Sequence, residues 1–454
     1  MKKLSLEKVI FYTVFISTLF VLTYNYFHYS PKLGYDAPAH FSYVDYFSKY
    51  LPDSIKLPSD SDSREFFNPP VAYIFPSLVQ VICRNVIDSN NFLSDCQSVY
   101  GNFTMILQAL IYLLTIFINL KSIQKLLNLE SYQVTMYFLL VSMLAVNYRT
   151  ISMIRGEPYI LFFLSLLIYF LIDTHTLNFK VERKVYLIVG LLIALIALSR
   201  QWGFLLFPAF GILFFHPSIN RSRNYFKFLL FSFSIGFVLS SWFYFSLYFE
   251  YGTFTAFNKD SLGFNFLNKP PTFYLPNTEH FVYLFTNPIR PYLNNQFVTS
   301  LYADVWGDYW GYFSFTSQYL DIGRNQLEIG SYFANVNKLS VFTTTVAITC
   351  FFLANRKFKN HFVIKYISFS VLFSLLGYLW FTISYPEPAG DTVKATYIIQ
   401  MFHLIIFSSS LYLESIKKEK PQLYKSVLVL LFSIYVYNFQ TYLSHFPSDF
   451  VSSL

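Results

Sequence analysis

The sequence predicts an all-α integral membrane protein: about eleven transmembrane helices, interfacial helices in the first external loop, and a large second external loop. Three observations predict it. Of 454 residues, 54% are hydrophobic and 13% charged, whereas soluble domains carry about 25% charged residues. Apolar runs that match a hydrocarbon layer of about 30 Å recur along the chain. The basic residues between those runs alternate in density, as they do in chains that obey the positive-inside rule.

The first run, 9–28, follows the basic start MKKLSLEK. Its charge order resembles a secretory signal, but the run is longer than such a core and no small-x-small cleavage site follows, so it reads as a retained first helix. Further spans are expected at 103–120, 133–148, 158–173, 185–199, 202–215, 226–248, 339–354, 365–384, 396–413 and 424–443. The run 69–87 opens with Asn68-Pro69-Pro70, contains Pro76 and carries Arg84 near its end, so it reads as a helix lying at the interface. Charge tests this choice: with 69–87 outside, 19 of the 33 Lys and Arg but six of the 25 acidic residues fall in inner loops. Were 69–87 a span, every later basic loop would face outward. The N-terminus is therefore expected inside and the C-terminus outside. Three regions result: 1–248, an N-terminal transmembrane catalytic region; 249–338, the large external loop; and 339–454, a C-terminal transmembrane region.

Composition also narrows function. No Asp, Glu, Lys or Arg falls in the middle of a span, with His403 the one titratable exception, and no internal repeat is visible. Both features disfavour an ion-coupled transporter or flippase. The absence of a Gly-rich phosphate loop and the short inner loops disfavour a nucleotide-sugar donor. The net charge of +8 follows from the inner-face bias and implies no nucleic-acid partner. Cys83 and Cys96 both map outside, at a spacing that permits a disulfide without requiring one; Cys350 lies in a span.

Chemistry concentrates at the outer surface. In GYDAPAHFSYVDYF (34–47), Pro38 suits a first helical turn, so 37–51 reads as an amphipathic surface helix with the stripe Phe41, Val44, Phe47 and Leu51. Asp36 and His40 share a face, and Asp45 lies about half a turn away. One reading makes Asp36 a helix cap and His40 an interfacial side chain; the other makes them a catalytic pair. A second acidic stretch, REFFNPPVAY (64–73), again meets the membrane surface.

Together with Arg155-Gly156-Glu157, Ser199-Arg200-Gln201-Trp202-Gly203 and the run Gly390-Asp391-Thr392-Val393-Lys394-Ala395-Thr396-Tyr397, these stretches resemble, in order, the polytopic GT-C glycosyltransferases such as protein O-mannosyltransferases and lipid A aminoarabinose transferases. The resemblance implies a lipid-phosphate sugar donor and an acidic catalytic base in the first external loop, a role that falls on Asp36. Many relatives carry a second acidic residue directly after the first; here Ala37 stands there, which leaves the acceptor class open.

Transfer from a polyprenyl-phosphate sugar needs a base for the acceptor hydroxyl and cations for the departing phosphate. Asp36, partly desolvated, is expected to have a raised pKa, with His40 orienting it or touching the acceptor. Arg155, Arg200 and Lys394 lie at outer span ends, where a lipid phosphate resides; Arg290 is a further candidate. Each cation also fits a snorkelling anchor. In the second external loop, Asp304, Trp306, Asp308 and Trp310 interleave carboxylates and aromatics that suit a sugar ring, or that fold the loop on itself. Glu65, Tyr73, Glu157 and Tyr397, from the motifs above, join them as expected sugar or acceptor contacts. Asp36, His40, Asp304 and Asp308 have ligand chemistry but no cage spacing, so no metal or other cofactor is expected. The expected partners are a polyprenyl-phosphate sugar, membrane lipids and a glycan, lipid or protein acceptor. A polysaccharide polymerase or ligase is the alternative, although such enzymes usually carry their main basic loop late in the chain.

Overall fold

The computed structural model describes residues 5–86, 92–130, 134–173, 183–217, 219, 221–314, 326–387 and 393–444. Every regular element among them is helical. Gly390, Asp391 and Thr392 of the last motif lie outside the described residues.

The chain enters through α1 (Leu6–His28), capped by Ser5, whose hydroxyl accepts from the Lys8 amide. The segment after α1 folds as α2 (Ala37–Tyr50) and α3 (Val71–Val86), which pack on each other, with α3 also packed on α4 (Phe92–Leu127). The expected stripe of α2 faces inward: Phe41, Val44 and Phe47 are buried with Tyr73, Tyr100 and Ile154, and Leu51 packs against them. On α3, Ile74, Leu78, Ile82 and Val86 are exposed at four-residue spacing, the apolar edge that a helix lying on lipid presents. A Cys83–Cys96 disulfide joins α3 to α4, settling the pairing that spacing left open.

The eleven apolar runs are helical over most of their described residues, and six form helices long and apolar enough to cross a membrane by length and composition: α1, α4, α10 (Arg223–Tyr251), α14 (Gln326–Lys357), α15 (Phe362–Ser384) and the Ala395–Ile416 unit. Three others, α7 (Glu157–Asp173), α8 (Arg183–Ser199) and α17 (Pro421–Tyr437), have 17 residues each, about 26 Å at 1.5 Å per residue. Two expected spans are interrupted. The run 133–148 is α5 (Thr135–Ser142) and α6 (Ala145–Ile151), broken at Met143–Leu144. There Asn147 Nδ2 donates to Val141 O and Tyr148 OH to Ser142 O, so side chains satisfy carbonyls that the break released. His403 Nε2 is 2.9 Å from Asn147 Oδ1, which gives this mid-span histidine a role at the break. The run 202–215 is a 3₁₀ turn, Gln201–Leu206, followed by α9 (Pro208–Leu213), because Pro208 offers no amide to continue a helix.

Close approaches set the packing. A Cβ on Gly190 would meet Ile235 at 2.7 Å and one on Gly236 would meet Ile193 at 2.6 Å, so these two glycines let α8 and α10 touch. Between α10 and α14, the chain forms α11 (Pro271–Tyr274), α12 (Thr278–Leu284) and α13 (Phe297–Trp306). A 3₁₀ turn, Ala395–Ile398, opens α16 (Ile399–Ile416), which packs against α14 and α15.

Candidate active site

Asp36 occupies the residue before α2 with φ +63°, in the left-handed region, and its side chain does not cap the helix. The capping alternative is thereby excluded. Its Oδ2 instead lies 2.9 Å from Lys394 Nζ, which also donates to Tyr397 OH at 3.3 Å. The ammonium stands over three rings: Tyr35 at 4.5 Å, Trp310 at 5.1 Å and Tyr397 at 5.4 Å. Burial pushes the Asp36 carboxyl up, but Lys394 and then Arg155 outweigh it and hold the group well below the usual carboxylate range. The expected raised pKa is corrected: desolvation is present, and the partner cation overrides it. Lys394 moves the opposite way, above the usual lysine range, since Asp36 outweighs the effect of burial.

Lys394 is clamped through its own backbone. Tyr378 OH receives the Lys394 amide at 2.6 Å, Trp310 Nε1 donates to Val393 O at 2.9 Å, and the Ala395 amide donates to Asp304 Oδ2 at 2.7 Å.

Around this pair lies a layer of buried charges. Arg200 reaches Glu65 (Nη1 to Oε2, 3.5 Å) and Glu157 (Nε to Oε1, 3.4 Å), with its guanidinium over Tyr397 at 5.7 Å. Arg155 donates from Nη2 to Tyr35 O at 2.6 Å and stacks on Tyr35 at 4.6 Å, while its buried Nε and Nη1 have no hydrogen-bond partner among the described residues. Gln108 of α4 fixes the turn before it, donating to Ile151 O and Met153 O and accepting from the Arg155 amide. Gly156 permits the two arginines to neighbour each other: a Cβ there would stand 2.1 Å from Ser199 O.

His40 does not orient Asp36. Its Nδ1 is 2.6 Å from Tyr73 OH and its Nε2 is 3.9 Å from Glu65 Oε2. Asn68 donates to the same Glu65 carboxylate and to Tyr73 OH. Burial, together with Arg155 and Arg200, keeps His40 well below its ordinary pKa, hence neutral. Burial raises Glu65 despite Arg200.

A cleft of ≈ 120 Å³ opens over these groups, lined by Asp36, Glu65, Arg200, Lys394 and Tyr397 together with Arg64 and Asn68. One wall is aromatic: Trp202 stacks on Tyr397 (5.1 Å) and meets Phe381 edge-on (4.7 Å), and Phe257 reaches Phe381 (5.0 Å) and Tyr385 (4.8 Å). Gln201 positions that wall by donating to Phe67 O and Ala256 O. An ion pair between Lys259 and Glu387 lies at the rim.

Nine of the fourteen expected site residues lie outside the cleft lining: His40, Tyr73, Arg155, Glu157, Arg290, Asp304, Trp306, Asp308 and Trp310. Asp304 and Asp308 are fully buried on Arg149, at 2.8 and 3.3 Å. Asp308 also accepts from the amides of Gly311, Phe313 and Ser314, so its lone pairs are committed to folding the loop. Burial pushes Asp304 up to about 6, against Arg149. Trp306 donates to Thr344 Oγ1 at 3.0 Å on α14. The Arg290 guanidinium stacks on Trp310 at 5.2 Å, on a ring that faces Lys394 from elsewhere. Trp310 therefore belongs beneath the site, and Asp304 acts on it through the Ala395 amide. Among the described residues, no three His, Cys, Asp or Glu side chains cluster as metal ligands.

Sequence reasoning missed Arg149, Tyr35, Phe257, Lys259, Tyr385 and Glu387. Arg149 had one signal, since it and Arg155 bracket the same short external turn. Trp202 lay within a quoted motif, whereas the loop residues that form the rim carried no mark.

No protein-family model matches this chain, and no curated protein matches it. Among solved structures, the chain is similar to the crystal structure of ArnT from Cupriavidus metallidurans bound to undecaprenyl phosphate, at 13% identity and a TM-score of 0.36, over 90% of this chain and 77% of that one.

Proposed function

We propose that the protein is a membrane glycosyltransferase that moves a sugar from a polyprenyl-phosphate carrier to a hydroxyl-bearing acceptor on the non-cytoplasmic face. The observation that carries this reading is the Asp36–Lys394 pair, set in a cleft walled by Trp202, Phe257, Phe381, Tyr385 and Tyr397. A sugar ring presents C–H faces to aromatics and O–H groups to polar side chains, and this lining offers both.

In the proposed reaction, the acceptor oxygen attacks the anomeric carbon of the donor. The bond from that carbon to the phosphate oxygen breaks, the lipid phosphate leaves with the bonding electrons, and the acceptor proton passes to Asp36. Lys394 is the link between base and leaving group. A donor phosphate that engages the ammonium loosens its hold on Asp36 and restores basicity to the carboxylate at the moment of need. Arg200 adds positive charge at the cleft wall, and Arg155, buried behind the lining, adds its charge to the field at Asp36. Neutral His40 is tied to Tyr73 and is not assigned a proton-transfer role; Asn68 and Arg200 hold Glu65 within this layer.

The test is incubation of the purified protein with a panel of radiolabelled polyprenyl-phosphate sugars. Binding of at least one donor by the wild type, with sugar release that Asp36→Asn abolishes, supports the proposal; binding of none sinks it.

A further inference from the structure

The second external loop carries an apolar surface that the reaction does not use. Between Ser261 and Asn268 the chain reads SLGFNFLN, without a charge. Leu262, Phe264, Phe266 and Leu267 are all exposed, Leu267 at 89%, and Leu275 follows at 79%. Exposed apolar patches of this kind mark a membrane or a protein partner.

The polar groups of the segment decide between them. Asn265 Oδ1 accepts from the Leu267 amide at 2.9 Å, the Asn268 amide donates to Asn265 O at 2.9 Å, and Asn268 Nδ2 donates to Gly263 O at 2.8 Å. Tyr274 OH closes on Phe266 O at 2.8 Å. The segment thus satisfies these hydrogen-bonding groups within itself and leaves its apolar side chains outward, the arrangement that an apolar solvent demands and water does not.

Its place in the fold points the same way. The Leu262 amide donates to Ser384 O at 3.0 Å and Asn268 Nδ2 to Ile383 O at 3.0 Å, so the segment is tied to the outer end of α15. The exposed strip of α15, Leu372, Leu376 and Trp380, climbs to one turn short of Ser384. The apolar surface of the loop continues the exposed face of a helix long and apolar enough to cross a membrane.

We propose that residues 262–275 insert into the outer leaflet of the bilayer as an interfacial finger. Phe257, Asn258 and Lys259 of the cleft rim lie a few residues before it. Insertion therefore fixes the cleft mouth at headgroup depth, where a lipid-borne molecule enters sideways from the membrane. The inference needs the chain to be a membrane protein but no particular reaction.

The test places a nitroxide at Leu267→Cys and Leu275→Cys in the full-length protein, reconstituted in nanodiscs of phosphatidylcholine and phosphatidylglycerol. Wild-type protein gives the background, since Cys83 and Cys96 are paired and Cys350 is buried. Power saturation compares collisions with oxygen, which concentrates in lipid, and with a water-soluble nickel chelate. At 267 and 275 oxygen is expected to dominate, and at Asp60→Cys, exposed in the first external loop, the chelate. A chelate-dominated ratio at 267 and 275, or spin–spin broadening that shows a second copy seated on the segment, overturns the proposal.

Discussion

Lys394 Nζ lies 2.9 Å from Asp36 Oδ2 across 358 positions of sequence, with Tyr35, Trp310 and Tyr397 facing the ammonium. The pair joins the residue before α2 to the opening of the Ala395–Ile416 unit. If Asp36 accepts the acceptor proton, Asp36→Asn keeps the shape but removes the base. Transfer is expected to fall about 10²–10⁴-fold, with donor binding retained. Product formation from a labelled donor checks this, and undiminished transfer excludes the base assignment.

The same pair sets a pH dependence of stability. Asp36 is held below its ordinary pKa, so its contribution is present above the unfolded value and lost only as pH falls through the lower folded one. Lys394 has the opposite sign, its contribution being lost only as pH rises through its raised folded value. The difference in melting temperature between wild type and Asp36→Asn is therefore expected to stay constant from about pH 5 to 9 and to shrink below about pH 4. A difference that already collapses near neutrality contradicts the pairing.

Lys394→Gln and Arg200→Gln each remove a charge that the donor phosphate would meet. Hydrogen bonds to charged groups contribute about 1.5–3 kcal/mol, so donor KM is expected to rise roughly 10–100-fold. Acceptor KM should change little. Equal effects on both substrates would place these cations away from the phosphate.

Arg149 is buried on two carboxylates, Asp304 and Asp308. Arg149→Met strands both, at a cost of about 3–5 kcal/mol, read as a fall in thermal stability. Trp310→Phe is the milder probe, because it keeps the ring beneath Lys394 and removes only the bond to Val393 O. Near-normal stability with a raised donor KM is expected, which separates positioning of Lys394 from folding.

Gly156→Ala is expected to disturb Arg155 and Arg200 together. The added methyl would meet Ser199 O, a backbone atom with no freedom to rotate aside. Donor affinity should drop, whereas Gly211→Ala, with open space around its Cβ, should behave as wild type. Unchanged donor titrations for Gly156→Ala would show that the turn tolerates the shift.

Much of the helical plan was legible because a span announces itself locally. Its backbone bonds close within the segment, so a run of apolar residues suffices to place it. The buried stripe Phe41, Val44 and Phe47 was equally readable from helical period. The break at Met143–Leu144 was not, since it depends on Asn147 and Tyr148 folding back onto released carbonyls.

The candidate site divides along the same line. The sequence by itself marked which residues could carry charge chemistry: Asp36, Glu65, Arg155, Glu157, Arg200 and Lys394 all stood beside expected span ends or expected surface helices. Only the tertiary structure decided how they pair. It turned Asp36 from a helix cap into the partner of Lys394, gave His40 to Tyr73, and committed Asp304 and Asp308 to Arg149. The physical reason is one of range. Helix formation is governed by bonds four residues apart, whereas the sign and strength of a buried ion pair depend on which distant segments packing brings within about 4 Å.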